Sequence, residues 1–100
     1  NLAGANLAGV RLEGAYLREA NLDGIRGYVN SHDVFAEVVR RQRVDDFTEA
    51  EWVAIGPIIL HRLCWDTIKK RFDSAMPHIF EVLARAGFDE WQKHWKAMGK

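Results

Sequence analysis

Leucine stands at positions 2, 7, 12, 17 and 22 of this chain, a strict period of five that neither regular secondary structure accommodates. With leucine at roughly a tenth of residues, five in one phase has a chance probability on the order of one in 100,000. On an α-helix such leucines would advance by about 140° each and scatter around the circumference, and Gly4, Gly9, Gly14 and Gly24 would weaken that helix further. In a continuous strand the odd spacing would send successive leucines to opposite faces. The pattern fits a chain that makes a short extended piece, turns a corner and repeats, so that each Leu and the small residue two before it face one interior. Ala5, Val10, Ala15 and Ala20 hold those preceding positions, Ile25 opens a further unit, and Asn1, Asn6, Asn21 and the glycines supply corner chemistry.

The units Ala5-Asn6-Leu7, Val10-Arg11-Leu12, Ala15-Tyr16-Leu17 and Ala20-Asn21-Leu22 resemble the pentapeptide-repeat proteins, whose motif is a small residue, Asp or Asn, then Leu and two variable positions. The resemblance covers about the first quarter of the chain. It implies a right-handed quadrilateral β-helix, four pentapeptides to a square turn, so that the five leucines make about one coil. Val10 and Ile25 are larger than the usual alanine, and Arg11 and Tyr16 replace Asp or Asn, as suits a terminal, imperfect coil. Solenoid units cannot bury their apolar faces alone. The unit cut at Asn1 therefore leads to an expectation of further repeats upstream.

Composition divides at the same place. Residues 1–30 hold five of the eight glycines and no tryptophan, whereas 31–100 hold all four tryptophans, both prolines and nine of the eleven aromatic side chains. The expected fold class is mixed: a short pentapeptide-repeat β-helix over 1–28, then a four- to five-helix bundle over 29–100 that caps it or mediates self-association. With 48% hydrophobic residues the chain can bury a core. The single Cys64 cannot form an internal disulfide, so a reducing, cytoplasmic setting is expected. The longest apolar run, Trp52 to Leu60, is nine residues against the about 20 of a membrane span.

In the second part Ser31 reads as the cap of a helix over 32–42, with Val34, Phe35, Val38 and Val39 as its apolar stripe. Thr48 to Glu51 is a capping box with Phe47 ahead of it. Gly56-Pro57 predicts a break, with helices near 49–55 and 57–71. Asp73 or Ser74 is expected to cap the next helix, where Pro77 sits in the first turn and Gly87 is the stop. Asp89 to Gln92 repeats the capping-box spacing at the head of the last helix.

Candidate sites are few. Ser31-His32-Asp33 has triad residue types, but consecutive residues project apart, and capping explains them. His61 and Cys64, read as one helical turn apart, could share a metal, yet no second pair completes a zinc site, so core packing is preferred. His78 and His94 are isolated. Asp45, Asp46, Glu49 and Glu51 read as a solvated helix start, and Arg40, Arg41, Arg43 and Lys69-Lys70-Arg71 as cations at helix ends. Trp91 and Trp95, four apart, are candidates for a partner interface or for the core.

The expected function is a non-enzymatic scaffold with no cofactor and no metal, whose partner is another protein or a second copy. Two alternatives stand beside it. The resemblance implies a DNA-mimicking modulator of topoisomerases such as gyrase, which needs an acidic face. Residues 1–30 instead balance Glu13, Glu19 and Asp23 against Arg11, Arg18 and Arg26. The other is a small metal protein or enzyme centred on His61 and Cys64. Residues 31–100 carry eleven cations and eleven anions, which speaks against nucleic-acid binding, and no membrane association is expected.

Overall fold

In the period-five segment the leucines open tight turns. Leu2, Leu7, Leu17 and Leu22 accept hydrogen bonds from the amides three residues on, those of Ala5, Val10, Ala20 and Ile25, at 2.9–3.3 Å. In three of these turns the third residue is Gly4, Gly9 or Gly24, at φ 72°, 75° and 69°, the left-handed value that a type II turn needs there. The computed structural model describes residues 2–12 and 17–99.

In these described units a four-residue turn in five leaves one residue between corners, too little for a ladder. This corrects the expected β-helix over 1–28: among the described residues there is no strand and no sheet, only an isolated parallel bridge between Asn6 and Arg26. The chain nevertheless passes over itself. Leu2 N–H donates to Asn21 O (3.1 Å), Gly4 N–H to Asp23 O (2.8 Å), Leu7 N–H to Arg26 O (2.7 Å) and Arg26 N–H to Ala5 O (2.9 Å). Asn6 Oδ1 and Asn21 Oδ1 each accept an amide two residues on, bracing the corners.

Leu7, Leu17, Leu22 and Ile25 are buried, and Leu2, Ala5, Leu12 and Ala20 pack against them partly covered. Ala15 lies outside the described residues. Val10, expected in the interior, is 50% exposed. The reason is where the pairing stops: past the Leu7–Arg26 bond the later pass leaves at Tyr28 for the first helix, so its backbone does not continue over Val10.

Among the described residues five α-helices follow: α1 (His32–Arg40), α2 (Glu49–Leu60), α3 (Trp65–Phe72), α4 (Met76–Arg85) and α5 (Glu90–Met98), with a 3-10 turn at Val44–Asp46 between the first two. Ser31 caps α1, and Thr48 with Glu51 forms the reciprocal box on α2. Phe47 and Trp52 meet edge to face at 5.2 Å, stapling that entry.

The break expected at Gly56-Pro57 is absent, and α2 runs through both residues. Much of the clash that drives a residue before proline out of the helix involves its Cβ, which Gly56 lacks. The real stop is at His61–Cys64. Arg62 takes φ 49°, and Leu63 N–H returns to Ile58 O at 3.2 Å, a Schellman-type ending with arginine where glycine is usual. An Asp33 carboxylate on α1 holds the Arg62 guanidinium through two bonds, 3.3 and 3.2 Å. Neither Asp73 nor Ser74 caps α4, whose N-cap is Ala75. Asp73 ends α3 instead, paired with Lys69 at 3.1 Å.

One apolar cluster runs from Leu7 to Trp95 and joins both parts of the chain. At its centre Tyr28, 2% exposed, lies edge-on to Trp91 at 4.7 Å and to Phe88 at 6.0 Å. Around it the polar groups pair across the junction. Gly27 N–H donates to both Glu90 carboxylate oxygens (3.0 and 3.1 Å), Tyr28 N–H to one of them (3.2 Å), and Glu90 N–H to the Tyr28 hydroxyl (3.1 Å). Asp89 stands at the N-cap of α5 as expected, but its side chain makes no capping bond, and the Glu90 amide goes to a hydroxyl more than sixty residues away in sequence. On the other side Glu37, itself buried, grips Arg40 and Arg41 at 2.7 Å each. Arg41 then reaches Leu17 O (3.1 Å) and Ala20 O (2.8 Å), and Arg40 reaches Arg18 O (3.3 Å). The Arg40 bond holds the Glu37 carboxyl below its usual range against the opposing effect of burial, with Arg41 adding to it.

Two outcomes are expected. A Cβ at Gly27 would stand 2.5 Å from Asn6 Oδ1 and 2.7 Å from Ala8 N, at φ 70°, whereas one at Gly9 meets nothing within 4 Å. In thermal or denaturant melts Gly27→Ala should cost at least about 2 kcal/mol and Gly9→Ala, strained in φ alone, about 1 kcal/mol. Burial pushes the Tyr28 phenol up to about 12, with the Glu90 amide bond opposing and the Glu90 and Asp89 charges adding. An unfolded tyrosine releases its proton near pH 10, so this contribution is complete below about pH 10 and falls as pH rises toward 12. Denaturant melts across that range should show a shallower loss for Tyr28→Phe than for the parent protein.

Candidate interaction surface

The second helix, EAEWVAIGPIIL after its Thr48 cap, is apolar on every side from Trp52 onward. A helix of that kind is ordinarily surrounded by protein. Here Ala54, Ile55 and Ile58 are buried while Val53 is 64% and Leu60 77% exposed. Gly56 lies between them, also exposed, with open space above its Cα. Positions 53, 56 and 60 follow the i, i+3, i+7 rhythm of a single helix face. An apolar stripe facing solvent with a glycine at its centre suits close approach of a partner backbone.

The helix is firmly set. Glu51, buried at its first turn, accepts the Thr48 amide at 2.8 Å and pairs with His78 Nδ1 of α4 at 2.8 Å. The sequence reading of Glu51 as part of a solvated acidic turn is corrected accordingly. Trp52 Nε1–H donates to Val44 O at 2.9 Å, tying the 3-10 turn down.

The residues singled out in the sequence go elsewhere. Of the two alternatives for Trp91 and Trp95, partner interface or core, the 1% and 8% exposed side chains take the core: Tyr28 and Phe35 pack on the first, Phe80 and Trp65 on the second. His61 and Cys64 belong to no common helix turn, being the C-cap of α2 and the N-cap of α3, and both are exposed rather than packed in the core. The Cys64 thiol is lowered from its ordinary value, chiefly by the Thr67 hydroxyl at 3.2 Å and then by the Thr67 amide. Among the described residues no group of three or more His, Cys, Asp or Glu could hold a metal ion.

Ser31, His32 and Asp33 separate as their positions require. Ser31 caps α1, His32 Nε2 meets Leu63 O at 2.7 Å and Asp33 holds Arg62. His94 packs on Trp65 with centroids 4.8 Å apart and the rings tilted by 52°, and Lys69 Nζ lies 4.7 Å above the Trp95 ring. Asp46 accepts the Arg43 amide at 2.9 Å. No helix among the described residues is long and apolar enough to cross a membrane.

Sequence reasoning missed the outward stripe of α2 and the buried Glu37. The first was signalled by a nine-residue apolar run with no polar side; the second had as its signal only a spacing of three and four before Arg40 and Arg41, which puts the three on one helix face.

Comparison with known proteins matches residues 1–26 to the family model described as Pentapeptide repeats (8 copies). No curated protein and no solved structure matches the chain.

Proposed function

We propose that the chain is a non-enzymatic interaction protein in which the helices close one end of a pentapeptide-repeat segment and α2 provides a surface for self-association. The repeat match over residues 1–26 supports the non-enzymatic reading. So does the fate of the reactive side chains, since Ser31, His32 and Asp33 are each committed to a different structural partner. The closing role is supported by the junction, where Glu90 takes the Gly27 and Tyr28 amides and Arg41 takes the Leu17 and Ala20 carbonyls. Backbone groups at the edge of a segment of turns need such partners. An exposed, unpaired Cys64 accords with a reducing, cytoplasmic setting.

The observation that carries self-association is the exposed apolar stripe Val53-Gly56-Leu60. Two copies can pack this face on itself about a twofold axis, with each Gly56 admitting the other helix. One helix face is smaller than the about 800 Å² per partner of a standard interface, so the expected affinity is micromolar rather than nanomolar. Light scattering from micromolar to millimolar protein should show a dimer that dissociates on dilution. Val53→Glu with Leu60→Glu should leave a monomer at every concentration with an unchanged far-UV spectrum. A parent protein that stays monomeric throughout would remove self-association from the account.

A further inference from the structure

We propose that the second copy lies antiparallel on α2, and that the acidic end of this helix sets that direction. The inference rests on the self-association reading above and adds to it which way round the two helices meet.

At about 100° per residue, Glu49, Val53, Gly56 and Leu60 fall within about 60° of one another on the helix circumference, and all four are exposed. The stripe is thus longer than its apolar part. Its first member is a carboxylate that makes no ion pair among the described residues. More negative charge lies just ahead, in the turn that Trp52 ties to α2: the Asp45 side chain is 84% exposed there, and Asp46 accepts the Arg43 amide. Three carboxylates, of Asp45, Asp46 and Glu49, against the one guanidinium of Arg43 leave two negative charges at this end. Nearby cations are committed elsewhere, His78 to the buried Glu51 and Arg85 to Glu81. The far end of the stripe differs. Leu60 is followed by the exposed His61 and Arg62, and Asp33 balances the Arg62 charge.

Parallel packing would set two acidic ends side by side, within the about 8 Å over which charges interact at physiological salt, and would align the two helix dipoles. Antiparallel packing removes both penalties. With the twofold axis at Gly56, the two copies of Glu49 stand about 20 Å apart along the helix, and each comes beside the α2–α3 turn of the other copy. The apolar positions still match. Val53 lies three residues before Gly56 and Leu60 four after it, so Val53 of each copy meets Leu60 of the other.

The test is disulfide cross-linking in a Cys64→Ser background, at concentrations where light scattering shows the dimer. Val53→Cys mixed with Leu60→Cys should give linked heterodimers and either variant alone almost none, since a disulfide needs Cα atoms within about 7 Å. Adding Asp45→Asn and Glu49→Gln to Val53→Cys should raise the linkage of that variant to itself severalfold. Linkage of each variant to itself and not to the other would overturn the antiparallel order while leaving self-association standing. Self-linkage unmoved by the two neutral substitutions would overturn the role of the acidic end. A parent protein that stays monomeric would overturn this inference together with the reading it rests on.

Discussion

The carboxylate of Glu90 holds the two parts of this chain together. It takes the amides of Gly27 and Tyr28 just where the repeat segment ends, while its own amide goes to the Tyr28 hydroxyl. The exchange is reciprocal, as in a capping box, but it joins residues more than sixty positions apart. A carboxylate in the first turn of α5 is also favoured by the helix dipole. With those groups paired, the Tyr28 ring can lie wholly buried against Trp91, and the apolar cluster can run without interruption from the leucines to α5. Losing the carboxylate would leave the part-buried Tyr28 amide without its acceptor, a cost of about 1–3 kcal/mol, while the exposed Gly27 amide could turn to water.

The repeat segment shows how a sequence period is spent. In the described units four residues of five close a turn, so the backbone bonds that would make strands go into corners, and the stacking of the two passes rests on bonds such as Leu2 to Asn21 and Leu7 to Arg26 and on the leucine interior. Such a segment has little stability of its own. The Arg40 and Arg41 contacts to Leu17, Arg18 and Ala20 carbonyls, anchored by the buried Glu37, secure its other side. Its order is thus borrowed from the helices.

What was legible in the sequence is local. The leucine period located the turns, Ser31 and the Thr48–Glu51 box located two helix starts, and the aromatic content of residues 31–100 located the core. What was not legible depends on contacts between distant residues. The Tyr28 hydroxyl, not the Asp89 side chain, takes the first amide of α5, Glu51 is buried because His78 arrives from α4, and Arg62 can end α2 in a left-handed conformation because Asp33 is there to hold it. The Gly56-Pro57 break failed for a simpler reason: the glycine removes much of the clash that makes proline disruptive to its predecessor. Val10 carries the repeat pattern but is left uncovered where the second pass departs. The exposed stripe on α2 was visible as composition but not as geometry, since an apolar run does not say which of its sides the fold will cover.

Native-state hydrogen exchange tests most directly whether the repeat segment and the helices form one cooperative unit. The amides of Leu2, Gly4, Leu7 and Arg26, which join the two passes, should exchange with the same opening free energy as those of Ile79 and Leu83 in α4, and Glu90→Gln should lower both sets together. Repeat amides that exchange at far lower free energy while α4 stays fully protected, in the parent and in the variant alike, would contradict it.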